Sequence, residues 1–312
     1  MSGPRGTLCL FLACWAALSH EVRAQVFVSP GLEAAAGYTS NRFLEPDHRG
    51  SPYLRLAPSL TLTALPSGGS EFSLPELSLN VGYHRTDFAE SGFEHIEELT
   101  AEGSVALPSG SARSALGLSV GTYRDRALPG DDARWAAIAP SFSWTPGRQL
   151  HVSLEASATA LWYDSRDTLE GDRQEDLRGL LRPGLRWAPS GPVQLWAEAF
   201  GDINRSNEDL EEYRAAGGAA GLDATLGPGA RGGGWARYQV RTYRTQADGA
   251  DRRRDTPLSA GIWAAYRLAP GIEVAAEATH LAHRSTDDAN DYRVWNVEAG
   301  LRLVYDWEVF KP

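Results

Sequence analysis

The sequence predicts an all-β chain closed into a single antiparallel barrel of about fourteen strands. Three observations carry this expectation. Successive segments alternate apolar and polar residues with a period of two. Tight Pro/Gly turns exchange regularly with longer charged loops. Many strands run past the five or six residues usual in soluble sheets.

The chain opens with a leader. Met1 to Arg5 carries one positive charge, Thr7 to Leu18 is an apolar run, and Val22-Arg23-Ala24 provides a peptidase site. This order reads as a secretory signal peptide over residues 1–24, cut before Gln25, with the barrel over 25–312. The run is too short for a helical span, which needs about 20 residues. Leu12-Ala13-Cys14 leaves a lipoprotein signal as an alternative. Cys9 and Cys14 are the chain's two cysteines, so the part after residue 24 has no thiol, disulfide or cysteine-based metal site.

Alternation is clear in two segments. Val152, Leu154, Ala156, Ala158, Ala160 and Trp162 share one face, opposite Ser153, Glu155, Ser157 and Thr159. Trp295, Val297, Ala299, Leu301, Leu303, Tyr305 and Trp307 oppose Asn296, Glu298, Arg302 and Asp306. The tight turns are Pro66–Ser70, Pro108–Ser111, Pro146–Arg148, Pro189–Pro192, Gly227–Ala230 and Ala269–Gly271. The longer loops cover Asn41–Ser51, Asp87–Glu94, Arg124–Ala133, Ser165–Glu175, Arg205–Glu211, Thr245–Thr256 and Ser285–Asp291. Thirteen connections join fourteen strands. The loops, about 6 to 12 residues each, leave little chain for a large plug.

A soluble β-sandwich or barrel would show the same alternation. Two features favour a membrane barrel with its apolar face outward. Tyr38, Tyr83, Trp144, Trp162, Trp187, Tyr266, Tyr305 and Trp307 lie on the apolar face near strand ends, as an interfacial aromatic girdle requires. The polar face carries full charges, too many for a dry core. The net charge of −10 argues against a nucleic-acid partner. These features place the chain in the outer membrane of a Gram-negative bacterium, in contact with outer-membrane lipid and lipopolysaccharide. Arg252-Arg253-Arg254 is expected as a solvated loop touching lipopolysaccharide phosphates.

Prolines resist the strand pattern. Pro58, Pro75, Pro140 and Pro183 fall inside expected strands, where a missing N–H breaks the ladder, and bulges are the expected remedy. They also repeat. Leu56-Ala57-Pro58-Ser59-Leu60, Ile138-Ala139-Pro140-Ser141-Phe142 and Leu181-Arg182-Pro183-Gly184-Leu185 look like one element, with Val28-Ser29-Pro30-Gly31-Leu32 on the first strand. With Gly37-Tyr38-Thr39-Ser40-Asn41-Arg42-Phe43, this opening resembles the porin-like outer-membrane barrels encoded with exopolysaccharide systems. The resemblance covers about the first forty residues after the leader, and the remainder by architecture. It implies polysaccharide passage across the outer membrane, with periplasmic polysaccharide-export proteins as partners. The last strand resembles the recognition strand read by the barrel assembly machinery, except that Phe310 falls out of phase with Trp307 and Lys311-Pro312 follow.

Parity assigns a charged lumen. The acidic candidates are Glu33, Glu98, Glu102, Glu155, Glu198, Asp223, Glu273, Glu277 and Glu298. The basic candidates are Arg55, Arg178, Arg182, Arg186, Arg237, Arg241, Arg267 and Arg302. Arg178, Arg182 and Arg186 share one face of one strand. They form either a ladder for anionic or hydroxyl-rich solutes or cross-strand pairs with Glu155 and Glu198. His280 and His283, with Ser285, Asp287 and Asp288, are the best hydrolytic cluster, but no partner motif accompanies them. The expectation is a non-enzymatic conduit without cofactor or metal. The alternatives are a structural or partner-binding barrel and an outer-rim hydrolase.

Overall fold

The computed structural model describes residues 24–310 apart from 45–48, 67–74, 91, 190 and 245–251. The leader therefore lies outside the described residues, apart from Ala24. So do most of the Pro66–Ser70 turn and part of the Thr245–Thr256 loop.

The strands follow the alternating segments: β1 (Ala24–Thr39), β2 (Ser51–Pro66), β3 (Glu76–Phe88), β4 (His95–Ser109), β5 (Ala112–Asp125), β6 (Ala133–Trp144), β7 (Leu150–Asp167) and β8 (Arg173–Trp187). Then come β9 (Val193–Ser206), β10 (Tyr213–Gly227), β11 (Ala230–Tyr243), the two-residue β12 (Arg254–Asp255), β13 (Leu258–Ala269), β14 (Ile272–His283), β15 (Tyr292–Val304) and the four-residue β16 (Trp307–Phe310). Each long strand pairs antiparallel with its sequence neighbours. β1 closes the sheet against β15, from Gly31↔Val304 to Thr39↔Asn296. β12 extends the β13 stave along β11, and β16 extends the β15 stave along β1. The result is a closed antiparallel barrel of fourteen staves.

Turn chemistry sorts the two ends. Two-residue turns at Gly110-Ser111, Pro228-Gly229 and Pro270-Gly271 each place a glycine at positive φ, at 59°, 77° and 76°. These turns, the first residues of β1 and the last of β16 share one end. The long loops share the other, three of them carrying single 3-10 turns at Pro129–Asp131, Asp209–Glu211 and Asp288–Asn290.

The apolar face is convex. Leu154, Leu181, Ile262, Val297 and Leu301 are all exposed on it. On the polar face, side chains two strands apart meet, as Arg55 of β2 does with Glu298 of β15 across β1, which marks the concave side. Trp144, Trp187, Tyr266, Tyr305 and Trp307 ring the convex face near the tight-turn end, and Tyr38, Tyr83 and Trp162 near the loop end, where Tyr238 and Trp295 join them.

The prolines overturn one expectation. No bulge surrounds Pro58, Pro140 or Pro183. Pairing lapses for two residues beside each and resumes in the same register: Leu56↔Arg85 then Ser59↔Gly82, Ile138↔Ala158 then Ser141↔Glu155, Leu181↔Gly201 then Gly184↔Glu198. On the opposite side each proline stays in the ladder, facing Leu32, Leu116 and Leu154 respectively. Proline lacks only one donor. Losing that bond costs less than inserting a residue that would turn every later side chain to the wrong face. Pro75 is also corrected, because it lies just before β3 rather than within a strand. A true shift occurs at the C-terminal end. Phe27 pairs with Glu308 but Val26 with Phe310, which accounts for the phase of Phe310.

Candidate functional site: the concave wall and its mouth

Glu33, Arg55, Glu98, Glu102, Glu155, Arg178, Arg182, Arg186, Glu198, Asp223, Arg237, Arg241, Arg267, Glu273, Glu277, Glu298 and Arg302 all fall on the polar, concave parity of their strands. Many are paired across strands. Arg55 bridges Glu33 and Glu298, and Tyr53 donates to Glu298 at 3.0 Å. Arg182 lies between Glu155 at 3.8 Å and Glu198 at 3.9 Å, and Arg178 lies 3.8 Å from Asp176. The arginine ladder of β8 is thus partly neutralised in place. Further along, Arg237 lies 4.2 Å from the Phe200 ring centre and Arg241 4.4 Å from that of Tyr213.

Parity reasoning centred on the girdle missed the aromatics of the inner wall. Trp135, Trp196, Trp235, Trp263, Phe200 and Tyr53 project inward, each lying over a glycine of the adjacent strand. These glycines are Gly121, Gly221, Gly261, Gly233, Gly217 and Gly37 in turn. A Cβ there would come within 2.7 Å of a ring atom. A glycine inside a strand weakens it unless a side chain covers the gap, and the rings supply that cover. The available signal was the glycine density of β10 and β11, at Gly217-Gly218, Gly221 and Gly232-Gly233-Gly234.

At the loop end the chain after β1 turns inward. Arg42 reaches Asp125 of β5 at 2.7 Å, with both side chains buried, and its guanidinium lies 4.4 Å from the Phe88 ring centre. Phe43 packs edge-on against Phe93 at 4.8 Å. Short loops therefore still narrow the mouth beside β2 to β5.

A second lock joins the later loops. Asp255 is fully buried and accepts from Arg253 at 2.8 Å and from the Ser285 hydroxyl at 2.7 Å, with His283 Nε2 at 3.5 Å. Burial pushes the Asp255 carboxyl up, but the Arg253 and Ser285 hydrogen bonds and the Arg253 charge hold it below its ordinary value. Arg253 also packs 4.4 Å from the Tyr243 ring centre. This corrects the reading of Arg252-Arg253-Arg254 as uniformly solvated: Arg253 turns inward, while Arg252 and Arg254 stay exposed. The cluster is not a hydrolytic triad. Ser285 donates to the carboxylate rather than to an imidazole, and His280 stacks on Trp295 at 4.1 Å on the convex face.

The convex rim carries both paired and unpaired arginines. Arg85–Asp87 at 2.8 Å, Arg134–Asp164 at 2.7 Å and Arg244–Glu212 at 2.6 Å are ion pairs. Arg124, Arg205, Arg214, Arg254, Arg284 and Arg293 are exposed and make no ion pair among the described residues.

A closed fourteen-stave barrel with an apolar convex face, two aromatic girdles and a charged concave wall has the architecture of a porin-like outer-membrane barrel. Solved structures agree on the fold. OmpT, an outer-membrane protein of Vibrio cholerae, superposes with a TM-score of 0.51 at 9% identity, covering 91% of this chain and 98% of that one. The anion-selective porin from Comamonas acidovorans gives 0.50 at 10% identity, covering 90% and 100%. The outer membrane channel DcaP of Acinetobacter baumannii gives 0.50 at 11% identity, covering 90% and 97%. No family model and no curated protein matches the sequence.

Proposed function

We propose that the chain is a passive outer-membrane conduit serving as the exit channel for an exopolysaccharide. The observation that carries this reading is the concave wall of a fourteen-stave barrel, where paired charges and flat aromatic rings face the interior, a polar lining of the kind that borders a water-filled channel. Fourteen staves lie between the eight that side chains fill and the sixteen or more that leave an aqueous channel. The porins and channels among the solved folds support the coarser part of the proposal, and the opening residues of the chain support the polysaccharide. The unpaired rim arginines suit lipopolysaccharide phosphates, and the alternating last strand suits the barrel assembly machinery. Periplasmic polysaccharide-export proteins would dock at the tight-turn end. The test is ion conductance of the purified, folded protein in planar bilayers, followed by passage of polysaccharide through protein-loaded vesicles.

One observation favours a second reading. The inward chain after β1, fixed by the buried Arg42–Asp125 pair, suits a closed barrel acting as a structural element of an envelope machine. Discrete conductance steps in the unmodified protein would exclude it.

A further inference from the structure

We infer that the wall around Trp263 is a binding site for near-neutral, hydroxyl-rich sugar rings; this deepens the conduit reading and rests on it. A recess of about 240 Å³ opens on the concave face between β11 and β2. Its floor is made of small inward residues, Ala35, Ala265, Ala275 and Gly300. A flat ligand can approach such a floor, which a larger side chain would block.

Trp263 borders this floor. The Gly233 beneath it leaves the indole lying along the wall, and its N–H has no protein acceptor among the described residues. Arg231 sits over one side of the ring, 5.7 Å from its centre, held by the Glu273 oxygens at 2.8 and 2.9 Å. An aromatic face offers apolar area with a polar rim, which fits the C–H face of a pyranose ring. Carboxylates accept from the sugar hydroxyls and guanidiniums donate to them.

The carboxylates show where such hydroxyls would bind. Trp263 is the direct cross-strand partner of Glu277, and Glu277 of Glu298. Like charges directly opposite each other are unfavourable in a sheet. Glu298 is compensated by Arg55 and Tyr53. Glu277 makes no hydrogen bond or ion pair among the described residues, although it is the nearest acid to the indole by register. A hydroxyl-rich ligand on Trp263 would supply its missing donors.

Charge selects the class of sugar. Glu33, Glu273, Glu277 and Glu298 face Arg55, Arg231 and Arg302 around the recess. Arg55 and Arg231 are engaged, whereas Arg302, like Glu277, makes no ion pair among the described residues. Four carboxylates against three guanidiniums leave the recess net negative by one charge, so a polyanionic chain is disfavoured and a neutral one accepted.

The test uses the full folded barrel and two probes, a neutral glucose hexamer and an oligogalacturonate hexamer. Each is titrated against ion current and, independently, against the protein's tryptophan fluorescence. The neutral hexamer is expected to block the current reversibly and to change the fluorescence. Trp263→Ala should weaken both effects about tenfold, and Trp263→Phe should retain most of them. Glu277→Gln should weaken binding of the neutral hexamer severalfold. Wild-type conductance with no response to the neutral hexamer would overturn this site and leave the conduit standing. Fluorescence binding without conductance would support the site and overturn the conduit. A stronger response to oligogalacturonate, or equal responses from wild type and Trp263→Ala beside an unaffected Glu277→Gln, would overturn the assignment.

Discussion

Replacing Leu301 with arginine should destabilise the membrane-inserted barrel by about 2–4 kcal/mol if this position lies near the bilayer midplane. The structure sets that depth. On the convex face of β15, Trp295 stands at the loop end and Tyr305 at the tight-turn end, ten residues apart. At about 3.4 Å per residue this is roughly 34 Å of strand, and a tilt near 40° projects it to about 26 Å along the normal. That height matches the apolar band of about 25 Å typical of outer-membrane barrels. Leu301 lies six residues from Trp295 and four from Tyr305, between Ala34 and Val274 on the neighbouring staves. The assay is reversible urea unfolding from lipid vesicles, followed by tryptophan fluorescence. Ser157→Arg, on the concave face beside Glu155, is the control and should change stability little. Equal losses at the two positions, or a larger one at Ser157, would refute the assignment of faces.

Other consequences are open to measurement. Cysteine at Arg252 should react with a bulky impermeant reagent on whole cells, and cysteine at Ser111 should not; the opposite pattern would invert the topology. Arg42→Ala leaves Asp125 buried without its cation, so the barrel should lose about 3 kcal/mol and its mouth should widen, read as higher single-channel conductance. The Asp255 carboxyl is held below its ordinary value in the folded state, so its contribution is complete above the unfolded value of about 3.9 and lost as pH falls through the folded one. Proteolysis of the loop between β11 and β13 should therefore accelerate below about pH 4, and Asp255→Asn should show the acid behaviour at neutral pH.

Much of the fold was legible because it is encoded locally. Alternation in Val152–Tyr163 and Trp295–Trp307 sets strand and face, and Gly-containing turns such as Pro228-Gly229 set the connections. What was not legible depends on cross-strand partners. The Pro58, Pro140 and Pro183 lapses keep register because the neighbouring strand keeps its own, and no single segment reveals that. Trp263 could be assigned a face by parity, but its lie over Gly233 depends on a residue thirty positions earlier. Arg42 and Asp125 are 83 residues apart, and only barrel closure brings them together.

The central claim, that the concave wall encloses an aqueous path, is tested most directly by single-channel recording of the purified, folded protein in a planar bilayer with a salt gradient. The account predicts discrete ohmic steps, with a reversal potential that moves toward cation preference when Arg178, Arg182 and Arg186 are changed together to glutamine. The absence of any steps from verified folded protein, with Arg42→Ala equally silent, would contradict it.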